Sequence, residues 1–91
     1  MSGAVMLVEA AFAPPHGRTF YIVGVVTSGS VRVGMRIALP LARRSLIDCT
    51  IRTIEETADP RASCLGIRYR DAREREELRT LDLRGRAVLI D

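Results

Sequence analysis

His16 is the only histidine in the chain and stands beside Pro14 and Pro15, so no Ser-His-acid or Cys-His arrangement can be assembled around it. The carboxylates include two adjacent pairs, Glu55-Glu56 and Glu76-Glu77. Neighbouring side chains on a strand face opposite ways, which makes Glu55 and Glu56 unsuited to the shared-substrate work of a glycosidase pair. Cys49 and Cys64 do not make a secreted disulfide framework, and no Cys-x-x-Cys or Cys/His cluster has metal-ligand spacing. The 14 basic side chains are all arginine. Without lysine the chain carries neither a nucleotide-binding phosphate loop nor a Schiff-base amine. These residues predict a protein that is not an enzyme and takes no metal, nucleotide or other cofactor.

The elements that would hold these residues are short and apolar. Residues 4–12 read as a first strand, 19–27 as a second and 31–39 as a third, the last ended by Pro40. Gly17, Gly24, Gly29 and Gly34 punctuate this region. Ser28-Gly29-Ser30 suits a hairpin turn between the second and third strands, and Gly24 inside a strand suggests a bulge or a close backbone approach. A fourth strand is expected at 46–56, with a bulge near Arg52-Thr53 that turns Ile54 inward. The remaining strands fall at 64–70 and 86–90. Between them, DAREREELRTLDLRG has strong helix formers with Arg and Glu at helical spacing, which predicts a short helical turn near 72–80. Its interleaved glutamates favour a solvated face over an arginine comb for RNA. Six short strands with Gly and Pro turns fit an all-β, closed, antiparallel barrel of Greek-key type.

A chain of 91 residues has room for one domain, here residues 1–91. The net charge of +3 permits contact with nucleic acid without requiring it, because acids lie close to many of the arginines. No apolar run approaches the roughly 20 residues that span a bilayer, and Met1 to Ala13 carries Glu9 but no basic residue of a secretory leader. A cytoplasmic protein with no membrane partner is the expectation.

The pattern Gly17-Arg18, Gly24, Gly29, Val33-Gly34 resembles the first hairpin of the second, β-barrel domain of the translational GTPases, the family of elongation factor Tu. Met35 stands where that family usually has an acid. Ile51-Arg52-Thr53-Ile54-Glu55, Arg61-Ala62-Ser63, Leu65-Gly66-Ile67 and Arg84-Gly85 with Ala87-Val88-Leu89 resemble its later strands and turns in the same order. The likeness implies a stand-alone barrel of the elongation-factor second-domain type, without the family's phosphate loop or its guanine-reading Asn-Lys-x-Asp. It also implies that Glu9, Phe12 and Glu55 match the acid, the Phe and the Glu that meet the acceptor end of aminoacyl-tRNA, with Ala10 in place of the second acid.

The expected partner is therefore RNA or a translation component, met by a face carrying Glu9, Phe12, Arg18 and Glu55 and flanked by Arg43 and Arg44. The alternative is a protein-interaction or regulatory subunit, including a homodimer, that buries apolar surface left uncovered on the barrel. A small-molecule site at the barrel mouth is a third reading. By residue type alone, Phe12 belongs in the core, Glu9 and Glu55 face solvent, and Arg18 pairs with one of them.

Overall fold

In the computed structural model, which describes residues 3–91, the apolar runs become five strands and one helix. These are β1 (Ala4–Phe12), β2 (Thr19–Ser28), β3 (Ile51–Glu56), β4 (Ala62–Arg68), α1 (Ala72–Arg79) and β5 (Ala87–Ile90). The strands form one antiparallel sheet in the order β3-β4-β2-β1-β5. Residues directly opposite on neighbouring strands share a face, so the register sorts every side chain to one side or the other. The inner side holds Met6 and Val8 of β1, Phe20 and Ile22 of β2, Ile51 of β3, Leu65 and Ile67 of β4, and Val88 and Ile90 of β5. Leu78 of α1, Ile37, Ile47, Tyr69 and Leu83 complete the same buried cluster, so the helix and the long β2–β3 connection cover this side of the sheet.

Beyond the slip that leaves Thr27 of β2 unpaired between Val5–Ser28 and Met6–Val26, two bulges shape the sheet. In β1 the pairing slips between Val8 and Ala10, leaving Glu9 as the extra residue, and in β3 it slips between Ile51 and Thr53, leaving Arg52. The second is the bulge expected from the broken alternation. It brings Ile54 opposite Leu65 on the core side, but β3 is an edge strand and Ile54 remains 39% exposed. Gly24 lies opposite Val8 beside the first bulge, and a side chain there would collide with the backbone carbonyl of Leu7. The glycine is required by close approach, as its place in mid-strand suggests.

The expected third strand and its hairpin are not formed. Residues 31–39 contribute only isolated bridges, Arg36 to Thr50 and Ile37 to Ile90, and β2 is flanked by β1 and β4 rather than by the segment after Gly29. The cause is local. Gly29 and Gly34 both take positive φ, 75° and 100°, and Met35 N–H donates to the Arg32 carbonyl at 3.2 Å, so the chain turns again before a strand can extend. The sheet is thus five-stranded and not closed, in place of a closed six-stranded barrel. β3 also begins later than expected, at Ile51, because Asp48 accepts hydrogen bonds from the backbone N–H and hydroxyl of Thr50 and folds the chain just before it.

Helix α1 is fixed at its start. Asp71 is the N-cap and accepts from Glu74 N–H at 2.9 Å. Glu74 is itself buried and receives three bonds from Arg70: its backbone N–H at 2.8 Å, Nε at 2.9 Å and Nη2 at 2.7 Å. The Arg70 guanidinium holds the Glu74 carboxyl below the usual carboxylate range, although burial of the group works the other way.

Candidate interaction face

The side of the sheet away from the core is apolar too. Following the register across the strands gives successive rungs of outward-facing residues. One rung runs Thr53, Gly66, Tyr21, Phe12; the next Glu55, Cys64, Val23, Ala10; the next Ala62, Val25, Leu7, Ala87; and Val5 with Leu89 follows. Among the described residues no helix lies over this side, since α1 contributes Leu78 to the opposite one. Leu7, Phe12 and Leu89 are 43%, 48% and 63% exposed. The outward residues of β4, Ala62, Cys64 and Gly66, are themselves buried among their neighbours, so the bare apolar surface runs over β2, β1 and β5. It is of the kind that soluble proteins seldom leave bare.

The bulge at Glu9 explains why Phe12 is on this surface and not in the core. Met6 and Val8 face inward, and unbroken alternation would send Ala10 and Phe12 after them. The extra residue reverses the phase, so that Ala10 faces outward with Val23 and Phe12 outward with Tyr21. Phe12 then stacks on Tyr21, with ring centroids 5.4 Å apart and planes 30° from parallel. The Tyr21 ring also lies over Gly66, where an added side chain would meet it, and the Thr53 hydroxyl would block that position as well.

Glu9 and Glu55 sit at the two ends of a single rung. β3 is one edge of the sheet, and at this level β1 is the other, because the pairing along this side of β1 ends at Val8, which bonds to Gly85 and Arg86 just before β5. The rung Glu55, Cys64, Val23, Ala10 with Glu9 beside it therefore crosses the sheet from edge to edge. Both carboxylates are exposed, and neither makes an ion pair among the described residues. Burial pushes the Cys64 thiol up, and the charge of Glu55 next to it adds to the shift.

No family model, curated protein or solved structure matches this chain. The face must be read from its own residues.

Of the six residues singled out in the sequence, Glu9, Phe12 and Glu55 lie on the outer side, with Glu9 and Glu55 at opposite edges of it. Arg18 is not paired with either glutamate. Its carbonyl accepts from Tyr69 N–H at 3.0 Å, while the Tyr69 hydroxyl donates to the Gly17 carbonyl at 3.2 Å, which ties this turn to a core residue at the end of the sheet. Arg43 and Arg44 lie in an exposed turn of the β2–β3 connection. Arg44 borders a groove of about 310 Å³ with Leu46, Arg70, Arg73, Glu74 and Glu77, at the start of α1 and apart from the outer face. Tyr21, Val23, Cys64, Leu7 and Leu89 are the residues of the face that sequence reasoning missed. Their signal was present in the unbroken apolar runs of β2 and β4, FYIVGVV and ASCLGI, which lack the alternation of a strand with one wet side.

Among the described residues no group of three or more His, Cys, Asp or Glu side chains could hold a metal ion, and no helix is long and apolar enough to cross a membrane.

Proposed function

We propose that the protein is a non-enzymatic binding module that engages another protein through the outer face of its sheet. The observation that carries this reading is the uncovered apolar surface: β2 and β4 have the composition of strands covered on both sides, yet only one side has a cover. Binding supplies the missing layer. Photo-crosslinking tests it, with benzoylphenylalanine placed at Val23 in the centre of the face and, as a control, at Leu46 in the exposed β2–β3 connection. In extracts of the source cells, protease-sensitive adducts of defined mass are expected from position 23 and none from position 46. Equal labelling from both, or none from position 23, argues against an interaction face there.

RNA is the second reading, and it draws on Phe12, which is half exposed and stacked on Tyr21 as a platform on which a base could continue the stack. The likeness of the sequence to the second domain of the translational GTPases supports the same partner class, and so a translation role. It ranks second because the acids Glu9 and Glu55 lie on this face, Arg43 and Arg44 do not, and the arginine that the register does place there, Arg68 opposite Thr19, sits at the end of the face beyond the Tyr21 rung. Nuclease-sensitive adducts from position 23 would reverse the ranking. The same likeness supports the closed six-stranded barrel with residues 31–39 as its further strand, while the missing lysine supports the absence of a nucleotide site and the lack of a long apolar run supports a cytoplasmic setting.

A further inference from the structure

The outer face has a width as well as a polarity. Glu55 and Glu9 mark its two sides on one rung, separated by three inter-strand spacings, about 14 Å. Between them lie Cys64, Val23 and Ala10, whose small side chains leave a low floor, with Tyr21 and Phe12 on one adjacent rung and Val25 and Leu7 on the other. We infer that the partner's contact element is an amphipathic helix laid along the strands, with Lys or Arg on both flanks of its apolar stripe. This rests on the interaction-face reading and specifies its occupant.

Three considerations lead to that element. A helix is about 10–12 Å across with its side chains, so its apolar stripe fits between the two carboxylates and leaves both at its margins, in reach of water. A wider occupant, such as a second sheet, would cover Glu9 and Glu55 and leave two carboxylates buried without partners, which is costly. A second copy of this chain presents the same problem with twice the charge, because its own Glu9 and Glu55 would approach the same region. Basic residues beside the stripe can lay their stems along the apolar floor and bring their charges to the glutamates. The three rungs from Phe12 to Leu7, with Val5 and Leu89 beyond, run about 20 Å along the strands, the length of a helix of roughly 13 residues.

The test uses three synthetic 14-residue peptides and the whole chain labelled with ¹⁵N. The first peptide has a leucine stripe flanked by lysines, the second the same stripe flanked by glutamates, and the third the composition of the first in an order without a stripe. Binding is read by fluorescence anisotropy at low and high salt and by amide shift mapping. The lysine-flanked peptide should bind, move the amides of Ala10, Val23 and Cys64, and weaken as salt rises. The glutamate-flanked peptide should bind at least 10-fold more weakly. The double variant Glu9→Gln, Glu55→Gln, checked for folding by circular dichroism, should lose about 2- to 10-fold in affinity for the first peptide together with most of the salt dependence.

Equal binding of the first and third peptides, equal binding of the first and second, or full affinity in the double variant overturns the inference. If no peptide moves the outer-face amides while position 23 still crosslinks to a protein, the helix inference falls and the interaction face stands. If both fail, both fall.

Discussion

Single residues decide how this sheet is built. Gly24 is the clearest case, because any side chain at that position meets the Leu7 carbonyl, which belongs to the neighbouring strand and cannot rotate away. Gly24→Val should cost more than about 2 kcal/mol, read as a lowered urea midpoint with unchanged m-value, and a midpoint within error of wild type would show that the two strands can separate at no cost. Glu74 makes a second prediction. Its carboxyl is held below its ordinary value by Arg70, so its contribution to stability is complete above the unfolded-state pKa near 4.5 and disappears as the pH falls through the lower folded-state value. Asp48 and Asp59 are lowered as well, by hydrogen bonds from Thr50 and Arg61 respectively, and lose their contribution in a lower window, below their ordinary value of 3.8. Stability should therefore drop on acidification below about pH 4.5, and Glu74→Gln should be less stable at pH 7 yet flatter across that range. A Glu74→Gln curve parallel to wild type would remove Glu74 from the account.

At the scale of elements, helix α1 depends on its first turn. Asp71→Ala removes the cap of Glu74 N–H and should cost about 1 kcal/mol in thermal or urea denaturation, with Asp71→Asn recovering most of it. An unchanged melt would mean that packing of Leu78 alone holds the helix. This helix was legible in the sequence because its formers and charge spacing agree, and β1 and β2 were legible because nine and ten residues of β-rich sequence end at Pro and Gly. Residues 31–39 were not, since their composition is as strand-like as that of β2. Two positive-φ glycines five residues apart mark the difference, and a glycine letter does not state its φ. The candidate site shows the same limit. Glu9, Phe12 and Glu55 share a face, but the bulge that sends Phe12 outward is one inserted residue whose position no periodicity in 4–12 discloses. Arg43 and Arg44 looked like part of the site only because a loop's direction cannot be read from its letters.

The whole molecule is a sheet with one covered side and one bare side, and its solution behaviour should follow from that. Far-ultraviolet circular dichroism should be β-dominated. A hydrophobic dye should bind the native protein, and Val23→Glu should reduce the dye signal while leaving the melt within about 1 kcal/mol, because Val23 faces away from the core. A strong loss of stability in that variant would place Val23 in a packed interior instead. Among the described residues, the far edges of the sheet are joined by the short segment 34–38. Its backbone bonds to β5 through Arg36–Asp91 at 2.7 and 2.9 Å and Ala38–Leu89 at 2.8 Å, and to the start of β3 through Ile37–Cys49 at 3.1 Å and Met35–Ile51 at 2.8 Å. A clasp of single bridges opens more readily than a ladder, so it defines the softest cooperative unit of the fold. Deuterium should enter the amides of Arg36, Ile37, Ala38 and Asp91 together, earlier than those of Ile22 and Leu65, at a rate set by sub-global opening. Each such opening bares the β5 edge and the start of β3 at once, so the lifetime of the closed clasp, more than the strength of the core, governs how long a concentrated solution of this protein resists strand-to-strand aggregation.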